Sequence, residues 1–155
     1  MPDPKLNASS AADGPRIFGA VAVIVVDGRF LTIKRSLTVS APGAICFPGG
    51  GIEAGEDSRT AVVRELQEEL ALDVRPIQQL WTSLTSWNVH LSWWQCDAEN
   101  IESIQLDARE VSEFRWETPS ELGQNVDLLE SNHEFLRAWR RGDFQIDGLA
   151  PNICH

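Results

Sequence analysis

Apolar and polar positions alternate and cluster along the chain in a way that divides it into strands and helices. The stretch IFGAVAVIVVDGRFLTIKRS, from Ile17, holds two apolar runs broken at Asp27-Gly28. Asp-Gly between apolar runs is a hairpin signal, so two strands are predicted here. After APGAI, a shorter apolar segment, AICFPGG, predicts another strand. Asp57 or Ser58 can then cap a helix that runs to about Leu70. Its apolar stripe is Val62, Leu66 and Leu70, with Ala61 beside it. VRPIQQLWTSLTS and VHLSWWQCDA read as strands meeting in a turn near Trp87-Asn88. VSEFRWET is a further short strand, and TPSEL a brief helical turn with Ser120 as its cap. VDLLESNHEFLRAWRRGD closes the pattern as an amphipathic helix, with Leu128, Leu129, Phe135, Leu136 and Trp139 facing the core. Strands, helix, strands and helix in that order predict an α/β fold of the α+β kind, a mixed sheet between helices.

The chain has 155 residues, enough for one domain with a real core. The expected layout is an N-terminal arm over 1–15, one domain over 16–147, and a tail over 148–155. No apolar run reaches membrane-spanning length, and the N-terminal arm lacks the basic and apolar regions of a secretory signal. Three cysteines cannot complete a disulfide set and have no metal-ligand spacing, so a reducing, cytoplasmic setting is expected. Cys46 and Cys96 read as small buried apolar residues. Thirteen Lys plus Arg against 23 Asp plus Glu gives a net charge of −10, which argues against a nucleic-acid groove. A small anionic substrate remains compatible if divalent cations lie between it and the protein.

The helix carries Glu65, Glu68 and Glu69 close together toward its C-terminal end. Like charges three and four apart repel, and the helix dipole favours cations at that end. With the apolar stripe buried opposite, the three carboxylates are expected to project as one patch. Hard oxygen ligands in a patch suit Mg²⁺ or Mn²⁺. Arg64 can pair with Glu68 or hold a carboxylate's rotamer. The glycines Gly49, Gly50 and Gly51 before the helix read as a turn whose backbone can approach a ligand closely. Taken alone, a Glu-rich helix is more often a solvated face.

The whole stretch resembles the signature of the Nudix hydrolase family, Gx5Ex7REUxEExGU with U apolar. Gly50, Glu56, Arg64, Glu65, Leu66, Glu68, Glu69 and Leu72 stand at the matching positions. With each residue type at roughly one in fifteen, a chance match of the six fixed identities is on the order of one in a hundred thousand. Ala71 stands where the family has Gly, at a helix end where left-handed geometry is often needed. The resemblance implies a Nudix-type α/β/α sandwich and a divalent-metal-dependent pyrophosphohydrolase. Such an enzyme cleaves a nucleoside diphosphate linked to another group by attack of water on phosphorus. It also implies metal held by Glu65, Glu68 and Glu69 with the Gly49 carbonyl, Arg64 orienting a glutamate, and Glu56 supporting the loop and helix. Two positions compete as general base, Glu65 on the helix and Glu110 on the loop LDAREVSEFRW, with Glu113 behind them.

Substrate contacts are harder to assign. Lys34 and Arg35 end a strand near the glycines and could reach phosphates, or serve as solvated edge residues. Of six tryptophans, Trp87 at the predicted turn is the candidate for base stacking, with His90 beside it read as a strand residue. The ADP-ribose branch has a Pro sixteen residues beyond the signature, where this chain has Asn88, and the dinucleoside polyphosphate branch a Tyr, which this chain lacks. Arg35-Ser36 and Gly43 match the coenzyme A branch only in part, with Val39 at its middle Arg position. The expected partner is a small nucleotide or nucleotide derivative, with no nucleic acid and no membrane, and a homodimer is compatible. Alternatives are a catalytically silent nucleotide sensor and an isoprenoid diphosphate isomerase, for which Cys46 would be the candidate residue.

Overall fold

The computed structural model describes residues 17–151. The expected arm over 1–15, Cys154 and half of the tail lie outside these residues. Eight strands and three helices follow in the order β1 (Ile17–Val23), β2 (Val25–Val26), β3 (Arg29–Arg35), β4 (Ile45–Cys46), β5 (Gly49–Gly51), α1 (Ser58–Leu70), β6 (Val74–Leu84), β7 (Val89–Ala98), β8 (Val111–Glu117), α2 (Pro119–Gly123) and α3 (Glu130–Arg140).

The first apolar run divides at Ile24, and its two parts join different sheets. β1 lies in a four-stranded mixed sheet of order β5-β1-β7-β6, parallel to β7 and antiparallel to β5. β2 pairs with β3 across Asp27-Gly28, both at positive φ, as the Asp-Gly signal requires. β3 continues into β4 and β8 to complete an antiparallel sheet. The glycines at 49–51, read from sequence partly as a turn, are a strand paired with Val21, Ala20 and Gly19. A side chain on Gly49 would meet the Ala20 carbonyl oxygen at 2.2 Å, so only glycine lets these strands come together.

Two buried clusters fill the fold. Ala61, Val62, Leu66 and Leu70 of α1 pack on Ala20, Ala22, Leu31 and Ile33. On the other side Phe135, Leu136 and Trp139 of α3 meet Phe30, Phe47 and Trp93, with Phe135 stacked on Trp93 at 4.4 Å. Buried Asn132 anchors α3 by accepting a hydrogen bond from the Phe47 amide at 2.8 Å. The result is a sandwich of one mixed and one antiparallel sheet between helices. Among the described residues no helix is long and apolar enough to cross a membrane.

The caps locate the helices. Asp57 accepts from the Thr60 amide at 2.7 Å and starts α1. Thr118, rather than the expected Ser120, caps α2, in a reciprocal capping box with Glu121. Ala71 ends α1 in the left-handed conformation, φ 52° and ψ 37°, with its amide bonded to the Gln67 carbonyl. The backbone geometry expected of the usual glycine is therefore kept, with Ala bearing the strain.

Candidate active site

Consecutive residues on a helix point about 100° apart, so Glu68 and Glu69 cannot both follow Glu65 into the same seam. Glu65 and Glu69, four apart, turn down beside β5 and are nearly buried, at 9% and 5% exposure. Glu68 turns outward to Arg64 and solvent. The patch expected of three helix carboxylates is thus split, and its third member comes from elsewhere. Carboxylate oxygens of Glu65, Glu69 and Glu110 all lie within 4.8 Å of one another. Glu110 arrives on the loop that leads into β8.

That loop is tied at several points. The Gln105 and Asp107 amides donate to the Leu70 and Glu69 carbonyls at the end of α1, each at 2.9 Å. The Ser36 amide donates to the Glu110 carbonyl at 2.9 Å, and the Ser36 hydroxyl to the Arg109 carbonyl at 2.8 Å. Thr38 Oγ1 reaches the same Arg109 carbonyl at 3.0 Å. The sequence marks neither Ser36 nor Thr38 as a support of this loop, because hydroxyls in a polar loop give no spacing signal.

Arg64 organises the other side. Its Nε and Nη2 grip both oxygens of Glu56 at 2.8 Å, its Nη1 donates to Glu65 at 3.0 Å, and its Nη2 donates to the Gly51 carbonyl at 2.9 Å. Glu56 also accepts from the Glu53 amide at 3.0 Å. These donors hold the Glu56 carboxyl down at about 2, with the Arg64 hydrogen bonds the largest cause. Glu65 and Glu69 move the opposite way. Burial raises both, and opposing carboxylates raise them further, Glu69 most of all. The Gly49 amide donates to Glu69 Oε1 at 3.1 Å and partly offsets this. Close, desolvated carboxylates that resist ionisation together are suited to a divalent cation, which neutralises them and satisfies their lone pairs. The donor set, all oxygen, fits Mg²⁺ or Mn²⁺.

The cluster opens into a cleft of about 740 Å³. Arg64, Glu65, Glu68 and Glu110 line one part, the loop Gly51–Glu56 forms a wall, and Phe18 and Ser92 lie along the floor. Lys34, Arg35 and Trp87, also expected to meet substrate, do not line the cleft, though the Arg35 charge reaches Glu69 and favours its ionised form. Arg35 donates to the Ser40 carbonyl and hydroxyl at 2.7 and 2.9 Å, and Lys34 sits opposite Glu113 in the sheet. Glu113 bonds Arg115 on β8, away from the cluster. Trp87 is 64% exposed in the β6–β7 turn and does not line the cleft. Cys46 is buried, its thiol pushed up to about 11, and it too lies outside the cleft lining.

A NUDIX domain model matches residues 16–139, most of the chain. The chain belongs to the Nudix family. An RNA pyrophosphohydrolase of Dinoroseobacter shibae is 30% identical over 121 residues, covering 77% of this chain and 72% of the relative. Nudix hydrolase 25 of Arabidopsis thaliana is 30% identical over 143 residues, covering 74% and 80%. Among solved structures, the MutT protein of Methanosarcina mazei Go1 superposes with a TM-score of 0.71 at 20% identity, over 87% of this chain and all of that one, a likeness of fold. This Nudix protein is a hydrolase of pyrophosphate bonds, in a family that acts on small nucleotide derivatives and generally uses divalent metal.

Proposed function

We propose that this Nudix hydrolase cleaves the diphosphate linkage of a nucleotide or nucleotide derivative, with Mg²⁺ or Mn²⁺, by attack of water on phosphorus. The observation that carries the reading is the convergence of Glu65, Glu69 and Glu110 at the head of the cleft. These three carboxylates would hold the cation, with Glu68 at the rim as a further oxygen donor. When bound, a divalent cation neutralises the diphosphate and makes water a better nucleophile at neutral pH.

The chain's own residues do the rest. Arg64 fixes Glu65 and, through Gly51 and Glu56, ties the cleft wall to the helix. Its grip on Glu65 favours the ionised, ligating form of that carboxylate. Glu110, facing the cleft from the opposite loop, is then assigned as the general base.

The test is a screen of nucleoside triphosphates, sugar nucleotides, dinucleotides, coenzyme A and 5′-triphosphorylated RNA with Mg²⁺ and with Mn²⁺. Turnover of at least one, abolished by chelator, is expected. Glu110→Gln should lower kcat by about 10²–10⁴-fold and weaken metal binding as well, since it removes one of the three carboxylates. Unchanged turnover in Glu65→Gln plus Glu69→Gln would overturn the metal assignment.

A further inference from the structure

We infer that Phe18, backed by His90, is the platform on which the substrate's planar base stacks, along the cleft from the glutamates. The inference rests on the proposed nucleotide chemistry and adds the subsite that recognises the ring.

The register of the mixed sheet places the residues. On β1, Phe18, Ala20 and Ala22 share one face, because side chains alternate along a strand. Ala20 and Ala22 on that face pack with α1. Gly50, paired with Ala20, presents its Cα to the Glu65 carboxylate on the same face. Phe18 is two residues before Ala20, so it lies roughly 7 Å along the strand from the position beside Gly50. That separation is in the range of a ribose with one or two phosphates.

The neighbouring strand supplies the rest. His90 is the register partner of Phe18, and Ser92 the partner of Ala20. The Phe18 and His90 rings stack at 5.1 Å with their planes 24° apart. Phe18 is nonetheless 46% exposed and lines the cleft. An aromatic ring backed by a stacked partner, with surface open beside the proposed metal site, is a ready place for a second planar ring. Ser92, paired with Ala20, stands level with Gly50 and the Glu65 carboxylate across the sheet and also lines the cleft. Along the strand direction Phe18 is therefore set to one side, and the hydroxyl and the carboxylate follow at one level. The spacing suits a nucleotide with its base at Phe18 and its diphosphate at the glutamates. Trp87, the stacking candidate chosen from sequence, lies off this line.

Calorimetry of nucleoside diphosphate binding in Mg²⁺ to wild-type protein, Phe18→Ala, Phe18→Leu and Phe18→Trp tests the platform, with inorganic tripolyphosphate as the ring-free control. Phe18→Ala and Phe18→Leu should weaken nucleotide binding about tenfold, and Phe18→Trp should retain it. All should bind tripolyphosphate as the wild type does, and thermal melting should show each variant folded. Full affinity in Phe18→Leu, or equal loss for tripolyphosphate, would overturn the platform, as would a wild type that binds no nucleotide. Nucleotide binding that depends on Phe18 without turnover of any substrate would instead sink the hydrolase reading and leave the platform standing.

Discussion

The Glu65 carboxylate rests directly on Gly50: a Cβ at position 50 would stand 2.3 Å from Glu65 Oε1. The glycine that opens the family signature is thus a seat for the first carboxylate proposed to hold metal, fifteen residues further along the chain. Gly50→Ala must displace that carboxylate. Mg²⁺ affinity measured by calorimetry should fall on the order of 10–100-fold, with the circular dichroism spectrum unchanged.

Glu69 costs the apo protein stability at neutral pH. Its folded pKa lies above the ordinary 4.5, as does that of Glu65, so the folded state binds protons more tightly than the unfolded one. Their contribution to stability is full below 4.5 and declines as pH rises through the raised values. In chelator at pH 7, Glu69→Gln should therefore raise Tm by roughly a few degrees. Added Mg²⁺ should raise the wild-type Tm and leave the variant nearly unchanged, which differential scanning calorimetry can read.

Glu56 has the opposite sign. Held at about 2 by Arg64, it contributes stability that is full above 4.5 and lost as pH falls toward 2. Glu56→Gln should flatten that acid limb of an unfolding-against-pH curve. Arg64→Lys removes the two-pronged grip and should also weaken the acid-range dependence, since an ammonium cannot span both Glu56 oxygens and Glu65 at once.

Ala71 occupies a left-handed cap where glycine is at ease. Ala71→Gly should stabilise the fold by roughly 0.5–1 kcal/mol, the relief of strain being partly offset by greater freedom in the unfolded chain. Urea unfolding at equal metal concentration measures it, and kcat should stay within about twofold.

Ser36 secures the Glu110 loop from the neighbouring strand end, and its side chain is buried. Ser36→Ala leaves the amide bond to Glu110 intact but loosens the Arg109 carbonyl. A drop in kcat of about tenfold with KM little changed is expected from steady-state kinetics. A matching fall in Tm large enough to unfold the protein at the assay temperature would assign the loss to folding instead.

Local signals in the chain reached far. The Asp27-Gly28 hairpin, the Asp57 cap and the apolar stripe of α1 follow from spacing and turn chemistry within a few residues, and the structure has them. The family signature brought Glu65, Glu69, Arg64 and Glu56 into view because all lie within one loop and helix. Three things were not legible. Helical periodicity alone put Glu65, Glu68 and Glu69 in one patch, whereas packing against β5 selects the i,i+4 pair and turns Glu68 out. The break at Ile24 carries no turn residue, since the chain passes between sheets while remaining extended. Phe18 reads as one more apolar strand residue, and only the long-range pairing of β1 with β7 sets it beside His90 over the cleft.

The division of the first strand at Ile24 has a mechanical consequence. Glu65 and Glu69 belong to a helix packed on the mixed sheet, while Glu110 belongs to the loop entering the antiparallel one. An ion gripped by all three is a clasp across the seam between the two sheets. Loading the site should slow hydrogen exchange on both banks of that seam, at the amides of β5 and at the start of β8, farther than the ion's own contacts extend.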